Sequence, residues 1–258
     1  MTASGDRSIL EDLTAEQTDL YQLLVTLGED DWSRPTPAAG WDVRDQVAHL
    51  AHTEEVARDT ALGGPRSLAN EAGRYPSPEA FTEAGCGQGR AMKSLEVLDW
   101  WWTAAARNRE ALASLDTTAR IPWGLGMGWR AFVTARLMEH WAHGLDIRAA
   151  VDQPGQDTAR LRHVAWIGVN ALPYAFGIAG VEPPPGHTLR VELEPPPGTA
   201  EEAEQWVYGP QEATDHLSGP AGEWCRRAVQ RATPAATPHL RADGPLAELA
   251  LRHARAFL

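Results

Sequence analysis

The sequence predicts an α+β protein in which an N-terminal four-helix bundle is followed by a smaller α+β domain. Apolar residues recur at helical spacing in four segments, the last of which ends near residue 151. After Gln153-Pro154-Gly155 the helical segments become shorter and alternate with stretches of strand-like periodicity. We therefore expect two domains, residues 1–155 and residues 156–258. With 43% hydrophobic residues, a chain of this length can bury a proper core without crosslinks.

The first predicted helix runs from Ser8 to Leu27, where leucine and isoleucine side chains recur along one face. Asp42 is predicted to cap the second helix, and Asp45, three residues later, completes a capping box. This helix should end before Gly63-Gly64-Pro65, because glycine and proline terminate helices.

The stretch from Asn70 to Arg90 is rich in glycine and proline, so we expect a long irregular connection with room for one helical turn. Ser94 is predicted to cap a third helix that reaches Leu112. A glycine-rich loop at residues 121–128 separates it from a fourth helix, Arg130–Val151. In the run Trp100-Trp101-Trp102 successive side chains point about 100° apart, so one must face the core and another should approach solvent or a pocket.

The second domain is predicted to combine helices and short strands. A helix is expected to begin at Asp157 or Thr158 and to continue through Leu172. The other predicted elements are strands at residues 188–193, 205–208 and near 239–241, and helices Ala221–Arg231 and Leu246–Leu258.

Composition and charge exclude several functional classes. The net charge of −12 and the pI near 5.2 argue against binding to nucleic acid or to an anionic membrane. No apolar run approaches the roughly 20 residues of a membrane span, and the N-terminus lacks the pattern of a signal peptide. Two cysteines, Cys86 and Cys225, form neither a disulfide framework nor a zinc cage. We expect a soluble cytoplasmic protein, monomeric or homodimeric, that acts on a small molecule.

The basic residues are almost all arginine, since Lys93 is the only lysine among 23. This bias is typical of GC-rich coding DNA such as that of actinobacteria.

Three residues predict a metal site: His49, Glu139 and His143. Glu139 and His143 are four positions apart on the fourth helix, so they lie on one face and can close on a single ion. His49 lies on the second helix and can supply a third ligand. Two imidazoles and one carboxylate leave coordination positions open, as in catalytic zinc or non-haem iron sites. A divalent ion is expected, foremost Zn²⁺, with Ni²⁺ or Fe²⁺ as alternatives.

Other interpretations of these residues remain open. Glu139 and His143 could form a simple ion pair with no metal. His52 shares a face with His49, so it could replace His49 as a ligand or act as a catalytic acid or base. His140 is rotated about 100° from Glu139 and should point elsewhere. Spacing excludes the His-Glu-x-x-His pattern of zinc proteases and the Glu-x-x-His pairs of di-iron bundles.

Two segments carry a resemblance to a known family: GWDVRDQVAHL at residues 40–50 and RLMEHWAHGLDI at residues 136–147. In these segments the chain resembles the DinB-like metalloenzyme superfamily, specifically its mycothiol-dependent maleylpyruvate isomerase branch. Many members of the superfamily use three histidines, whereas this branch has a glutamate at the position that matches Glu139. The resemblance implies a DinB-like helical bundle that holds a divalent ion, usually zinc, with water or a thiol at the open position.

The resemblance also implies further site residues. An arginine of the second domain assists in the isomerase branch, and its nearest match here is Arg231, which could clamp a substrate carboxylate. Trp41 and Trp141 flank the metal motifs, so we place them near the cofactor. The loop at residues 121–129 and the proline-rich turns at 183–185 and 195–197 depart from the family pattern and would shape the pocket differently.

The leading functional hypothesis is a metal-dependent S-transferase or isomerase that uses mycothiol on a small electrophilic metabolite. A metal lowers the pKa of a bound thiol and so yields a strong nucleophile at neutral pH. One alternative keeps the metal without the thiol, as in a hydrolase, lyase or cyclase of secondary metabolism. Another is a non-catalytic module that binds a small ligand in the bundle.

Overall fold

The computed structural model describes residues 3–199 and 204–257. Within it the chain divides into two compact units, Met1–Gly155 and Gln156–Leu258. Long amphipathic helices make up most of the first unit, and a small sheet with short helices makes up the second. No helix in the described ranges is both long and apolar enough to cross a lipid bilayer.

Four long helices pack together in the first unit and three short ones fill the connections. In chain order these helices are α1 (Ala3–Leu24), α2 (Glu29–Trp32), α3 (Val43–Leu62), α4 (Leu68–Ala72), α5 (Pro78–Arg90), α6 (Ser94–Ser114) and α7 (Trp129–Ala150). Helix α3 lies at the centre, since it packs against α5, α6 and α7, while α1 packs against α6 and α7. Apolar faces of these helices, which include Leu50, Val97, Trp101 and Ile147, form one continuous core.

The ends of α3 follow the sequence prediction. Asp42 accepts a hydrogen bond from the Asp45 amide, and the Asp45 carboxylate accepts one from the Asp42 amide. This reciprocal pair is the predicted capping box. Gly63 ends the helix in the left-handed conformation at φ 72°, which glycine adopts without steric cost.

The predicted irregular connection between Asn70 and Arg90 is wrong, because α4 and the 13-residue helix α5 occupy much of it. Ser77 caps α5 through its hydroxyl, which accepts from the Ala80 amide, and Pro78 begins the helix. The glycines have a packing role: a Cβ at Gly89 would lie 2.3 Å from the Ala48 side chain of α3. Close contact with α3 therefore stabilises a segment of low intrinsic helix propensity.

Smaller differences occur at three other boundaries. Helix α1 ends at Leu24 rather than Leu27, and the N-cap of α6 is Lys93, so Ser94 is its first helical residue. The Ser94 hydroxyl instead hydrogen-bonds the Glu29 carboxylate. The glycine-rich loop before α7 forms a two-stranded hairpin of β1 (Arg120–Ile121) and β2 (Met127–Gly128).

The second unit contains a four-stranded sheet among its described residues. Its elements in chain order are α8 (Leu161–Asn170), α9 (Leu172–Ala179), β3 (Leu189–Glu194), β4 (Trp206–Tyr208), β5 (Asp215–Pro220), α10 (Ala221–Ala228), a short 3₁₀ helix (Pro234–Ala236), β6 (Arg241–Asp243) and α11 (Pro245–His253). The strand order is β4-β3-β5-β6, in which β3 and β5 are parallel and the outer pairs are antiparallel.

Several predictions in this unit need correction. Strand β5 was not predicted, because it alternates through Asp215, Leu217 and Gly219 rather than through large apolar residues. Helix α8 begins at Leu161 rather than at Asp157 or Thr158, since the Asp157 carboxylate binds the Arg226 guanidinium at 2.7 and 2.9 Å.

Both C-terminal helices are shorter than predicted. Helix α10 ends at Ala228, before Arg231, and α11 ends at His253. The last residue of the predicted helix, Leu258, lies outside the described residues.

Candidate metal centre

The three residues singled out by the sequence converge between helices α3 and α7. Their potential ligand atoms all lie within 4.8 Å of one another. The Glu139 Oε2 atom is 3.8 Å from His49 Nε2 and 3.5 Å from His143 Nε2. The periodicity of α7 places Glu139 and His143 on one face, and the packing of α7 against α3 brings His49 to them.

The spacing of these atoms fits a single divalent cation. Ligands about 2.0–2.1 Å from a tetrahedral zinc ion lie about 3.4 Å apart. Two of the three separations are within a few tenths of an ångström of that value. Two imidazoles and one carboxylate are also the donor set of open catalytic sites, whereas closed structural sites use four protein ligands.

The protonation states also suit a metal ligand set. Burial lowers the pKa of His49 to about 4, so its imidazole is neutral near pH 7. Burial alone would raise the pKa of Glu139, but contacts with both histidines and the charge of Arg136 keep it well below the usual value. A neutral imidazole and an ionised carboxylate are the forms that bind metal.

Gln46, one helical turn before His49, orients the imidazole of His143. Its side-chain oxygen accepts a hydrogen bond from His143 Nδ1, and its nitrogen donates to Thr36 Oγ1 at 2.9 Å. The bond to Thr36 fixes the amide with its oxygen toward His143. The imidazole therefore carries its proton on Nδ1 and turns the lone pair of Nε2 toward Glu139.

We predict that Gln46→Leu weakens cation binding by about 10–100-fold, the usual effect of losing an outer hydrogen-bond partner of a histidine ligand. The substitution removes the acceptor that fixes the His143 tautomer. Leucine is similar in size to glutamine and is apolar, so it suits the buried position. Competition with a chromophoric chelator measures the change. Thr36→Val is the graded control, because it removes only the outer bond and should have a smaller effect; unchanged affinity in Gln46→Leu would contradict the assignment.

A buried polar cluster next to Glu139, formed by Arg136, Glu54 and Asn108, was not predicted from the sequence. Arg136, one turn before Glu139, places Nη2 3.7 Å from the Glu139 carboxylate and Nε 3.5 Å from Glu54 Oε1. Asn108 donates to the other Glu54 oxygen at 2.6 Å. Burial raises the pKa of Glu54, while Arg136 and Asn108 oppose the shift. The only available signal was Arg136, which lies one turn before Glu139 on α7.

His140 points away from the cation site, as predicted. It is fully buried, and its Nδ1 donates to the Arg136 carbonyl oxygen at 2.7 Å. Its Nε2 accepts from Trp101 Nε1 at 3.1 Å and lies 3.2 Å from Gln17 Nε2. Burial lowers the pKa of His140 to about 3, so it is a neutral histidine of the core.

His52 lies between α3 and α5 rather than among the three converging residues. Its ring contacts the Phe81 ring at a centroid distance of 4.7 Å, and a Cβ at Gly85 would lie 2.7 Å from its Nδ1. Burial lowers the pKa of His52 to about 4. The structure thus favours His49 over His52 as the third ligand, and a catalytic role for His52 stays a prediction.

Of the two predicted cofactor-binding tryptophans, Trp41 lies beside the converging residues. Its ring centroid is 5.1 Å from that of His49 and 6.1 Å from that of His143. Trp41 also lines a pocket of about 450 Å³ together with Asp42 and residues of the preceding loop. Trp141 is buried, and its position two residues after Glu139 turns it about 200° away on α7.

Arg231 lies in the second unit, beyond the end of α10. It donates a hydrogen bond to the Val229 carbonyl oxygen at 3.1 Å. Its neighbour Arg227 is buried and bonded to the carbonyl oxygens of Ala232 and Leu251, which is a structural role. A contact between Arg231 and a substrate carboxylate stays a prediction.

Known proteins resemble this chain in both units. A family model described as mycothiol maleylpyruvate isomerase N-terminal domain matches residues 13–148, which include His49, Glu139 and His143. Uncharacterized proteins from two strains of Mycobacterium tuberculosis are each 34% identical to this chain over 222 residues, covering 85% of it and 84% of the relative.

Two crystal structures share the fold along most of the chain. They are those of the mycothiol-dependent maleylpyruvate isomerase and of a mutant of it, with TM-scores of 0.59 and 0.58. Each is 17% identical in sequence and covers 95% of this chain and 98% of its own. This likeness confirms the predicted α+β fold class, a helical bundle followed by a smaller α+β domain.

Proposed function

Because the chain belongs to the family of the mycothiol maleylpyruvate isomerase N-terminal domain, we propose that it is a metal-dependent enzyme that uses a thiol, mycothiol foremost. The enzyme would transfer this thiol to a small electrophile or use it to isomerise the electrophile. The observation that carries this proposal is the convergence of His49, Glu139 and His143 from two helices. The family supplies the thiol, since its model and the structural neighbours are named for mycothiol dependence.

The residues at this position suit a catalytic rather than a structural cation. His49, Glu139 and His143 would hold the ion and leave coordination positions open for a reactant. Zinc at such a position would lower the pKa of a thiol and make it nucleophilic at neutral pH. Cys86 and Cys225 are buried, and burial raises the pKa of both thiols. Neither is therefore suited to be the nucleophile, and an external thiol is the better candidate.

The side chains of this chain then have separate roles. Glu139 contributes the only carboxylate among the three converging residues, so it compensates half of the charge of a divalent cation. His49 stays neutral because of its burial, and His143 is turned toward Glu139 by Gln46. The Trp41 ring forms an apolar wall beside the two imidazoles and can exclude water from that side of a bound reactant.

Metal removal and thiol dependence test the proposal together. We expect the purified protein to hold about one Zn²⁺, Ni²⁺ or Fe²⁺ per chain, measured by elemental analysis. Dialysis against a chelator should abolish mycothiol-dependent turnover in a panel of electrophiles that includes maleylpyruvate, and added Zn²⁺ should restore it. A matched control is Glu71→Gln, which removes a buried carboxylate of α4 that pairs with Arg74 at 2.7 Å. This variant should keep both the metal and the turnover.

The possible outcomes separate the candidate functions. Metal without thiol-dependent turnover would favour a thiol-independent hydrolase, lyase or cyclase. A chain that binds no divalent cation at any tested concentration would contradict the proposed enzyme and leave a binding module.

A further inference from the structure

Arg136 lies between two carboxylates, only one of which belongs to the proposed metal ligands. It is 3% exposed, on α7 one turn before Glu139. Its Nη2 is 3.7 Å from Glu139 Oε2, and its Nε is 3.5 Å from Glu54 Oε1. Both separations are close enough for an ion pair and longer than a hydrogen bond.

Glu54 is fixed more firmly than Glu139. It is fully buried on α3, and Asn108 of α6 donates to its Oε2 at 2.6 Å. The Arg136 Cζ atom also lies over the Trp123 ring, 5.5 Å from its centroid. Among the described residues, Glu54 Oε1 and Arg136 Nε and Nη1 are buried without a hydrogen-bond partner. The guanidinium can therefore shift toward either carboxylate by less than 1 Å.

The position of this guanidinium matters for a cation bound by Glu139. Arginine keeps its charge in proteins and forms bidentate pairs with carboxylates. If Arg136 formed such a pair with Glu139, it would use the lone pairs that a metal ion needs. It would also place an uncompensated positive charge beside that ion. An ionised Glu54 would oppose both effects, because its charge balances that of Arg136 and its Oε1, 3.5 Å from Arg136 Nε, competes with Glu139 for the guanidinium.

We propose that Glu54 is a positioning residue, which holds Arg136 back from Glu139 and so keeps that carboxylate available to a divalent cation. The inference rests on the proposed metal site and extends it to two residues that lie outside the three ligands. It gives Glu54 and Arg136 opposite effects: loss of Glu54 weakens cation binding, and loss of Arg136 does not.

A double-mutant cycle tests the proposal on the full chain. Zn²⁺ affinity is measured by chelator competition for the unchanged protein, Glu54→Gln, Arg136→Met and the double variant. We expect Glu54→Gln to bind Zn²⁺ about tenfold more weakly or worse. Arg136→Met should bind at least as tightly as the unchanged protein. The double variant should recover the original affinity within about twofold, the usual error of such cycles.

Recovery of Zn²⁺ affinity in the double variant distinguishes a positioning role of Glu54 from a general role in folding. If Glu54 only stabilised the bundle, the double variant would bind no better than Glu54→Gln, and this result would overturn the proposal. So would unchanged affinity in Glu54→Gln, or binding more than about tenfold weaker in folded Arg136→Met. If Glu54→Gln does not fold, the Arg136→Met variant decides: tighter Zn²⁺ binding than in the unchanged protein supports the proposal, and equal or weaker binding overturns it. Glu71→Gln is the control for losing a buried carboxylate elsewhere in the bundle.

The failure of this inference differs from the failure of the proposed function. If the unchanged protein binds no Zn²⁺, both are overturned. If it binds Zn²⁺ and Glu54→Gln binds equally well, the metal site stands and only the role of Glu54 is wrong.

Discussion

Glu139→Gln is expected to weaken cation binding by about 100-fold or more and to abolish metal-dependent turnover, because a direct ligand should matter at least as much as its outer partners. The change replaces a carboxylate with an isosteric neutral amide. It therefore removes the only anionic donor of the three converging residues while it keeps the shape of the side chain. Chelator competition gives the affinity, and circular dichroism verifies that the bundle remains folded.

Glu139→His provides the matched control. Three histidines are also a donor set of catalytic zinc sites, so an imidazole at this position should retain a cation, within about tenfold of the original affinity. If Glu139→Gln kept the full affinity, the cation would not be held by this carboxylate. The contacts of Glu139 with the two histidines would then be simple ion pairs.

The long helices could be predicted because several local signals agree in each. Helix α3 has an apolar face, a capping box at Asp42 and a left-handed glycine at Gly63, and its boundaries match the prediction. Helix α7 was placed within one residue at each end because a glycine-rich loop precedes it and Gln153-Pro154-Gly155 follows it. These signals come from residues that are close together in the chain, so they can be detected in a single sequence.

Elements that depend on tertiary contact were not predicted. Helix α5 contains three glycines, which argue against a helix until Ala48 and His52 are seen to lie against two of them. Strand β5 begins with a buried aspartate, Asp215, which accepts hydrogen bonds from His187 and from the backbone amides at the start of α11. Such a residue indicates a turn or a cap in the sequence, and its partners are distant along the chain.

The candidate site likewise has one part that local spacing predicts and another that depends on tertiary contacts. The pairing of Glu139 with His143 follows from helical spacing alone, since the two share a helix. That His49 rather than His52 joins them depends on how α3 turns against α7, which no periodicity specifies. Gln46, Glu54 and Arg136 are ordinary polar residues in the sequence. Only their burial and their distances from Glu139, from His143 and from one another set them apart.

Trp101→Ala is expected to destabilise the first unit by about 3–5 kcal/mol, the usual range for truncation of a buried tryptophan. Of the three successive tryptophans, only Trp101 is fully buried; Trp100 and Trp102 are partly exposed at the edge of the core. Its loss leaves a large cavity in the core of the first unit and removes the indole donor of His140. Since domains are typically stable by about 5–15 kcal/mol, this is a large fraction of the total.

Two further variants test the contribution of this side chain. Trp101→Phe keeps an aromatic ring but removes part of the indole volume together with the donor to His140, which Gln17 still contacts at 3.2 Å, so we expect a loss of about 1–3 kcal/mol, smaller than that of Trp101→Ala. Trp100→Ala, at a partly exposed position, should lose less than Trp101→Ala. Urea denaturation of metal-free protein measures all three, because a bound cation would add its own stabilisation. Equal losses in Trp100→Ala and Trp101→Ala would contradict the central position of Trp101 in the core and the importance of its contact with His140 of α7.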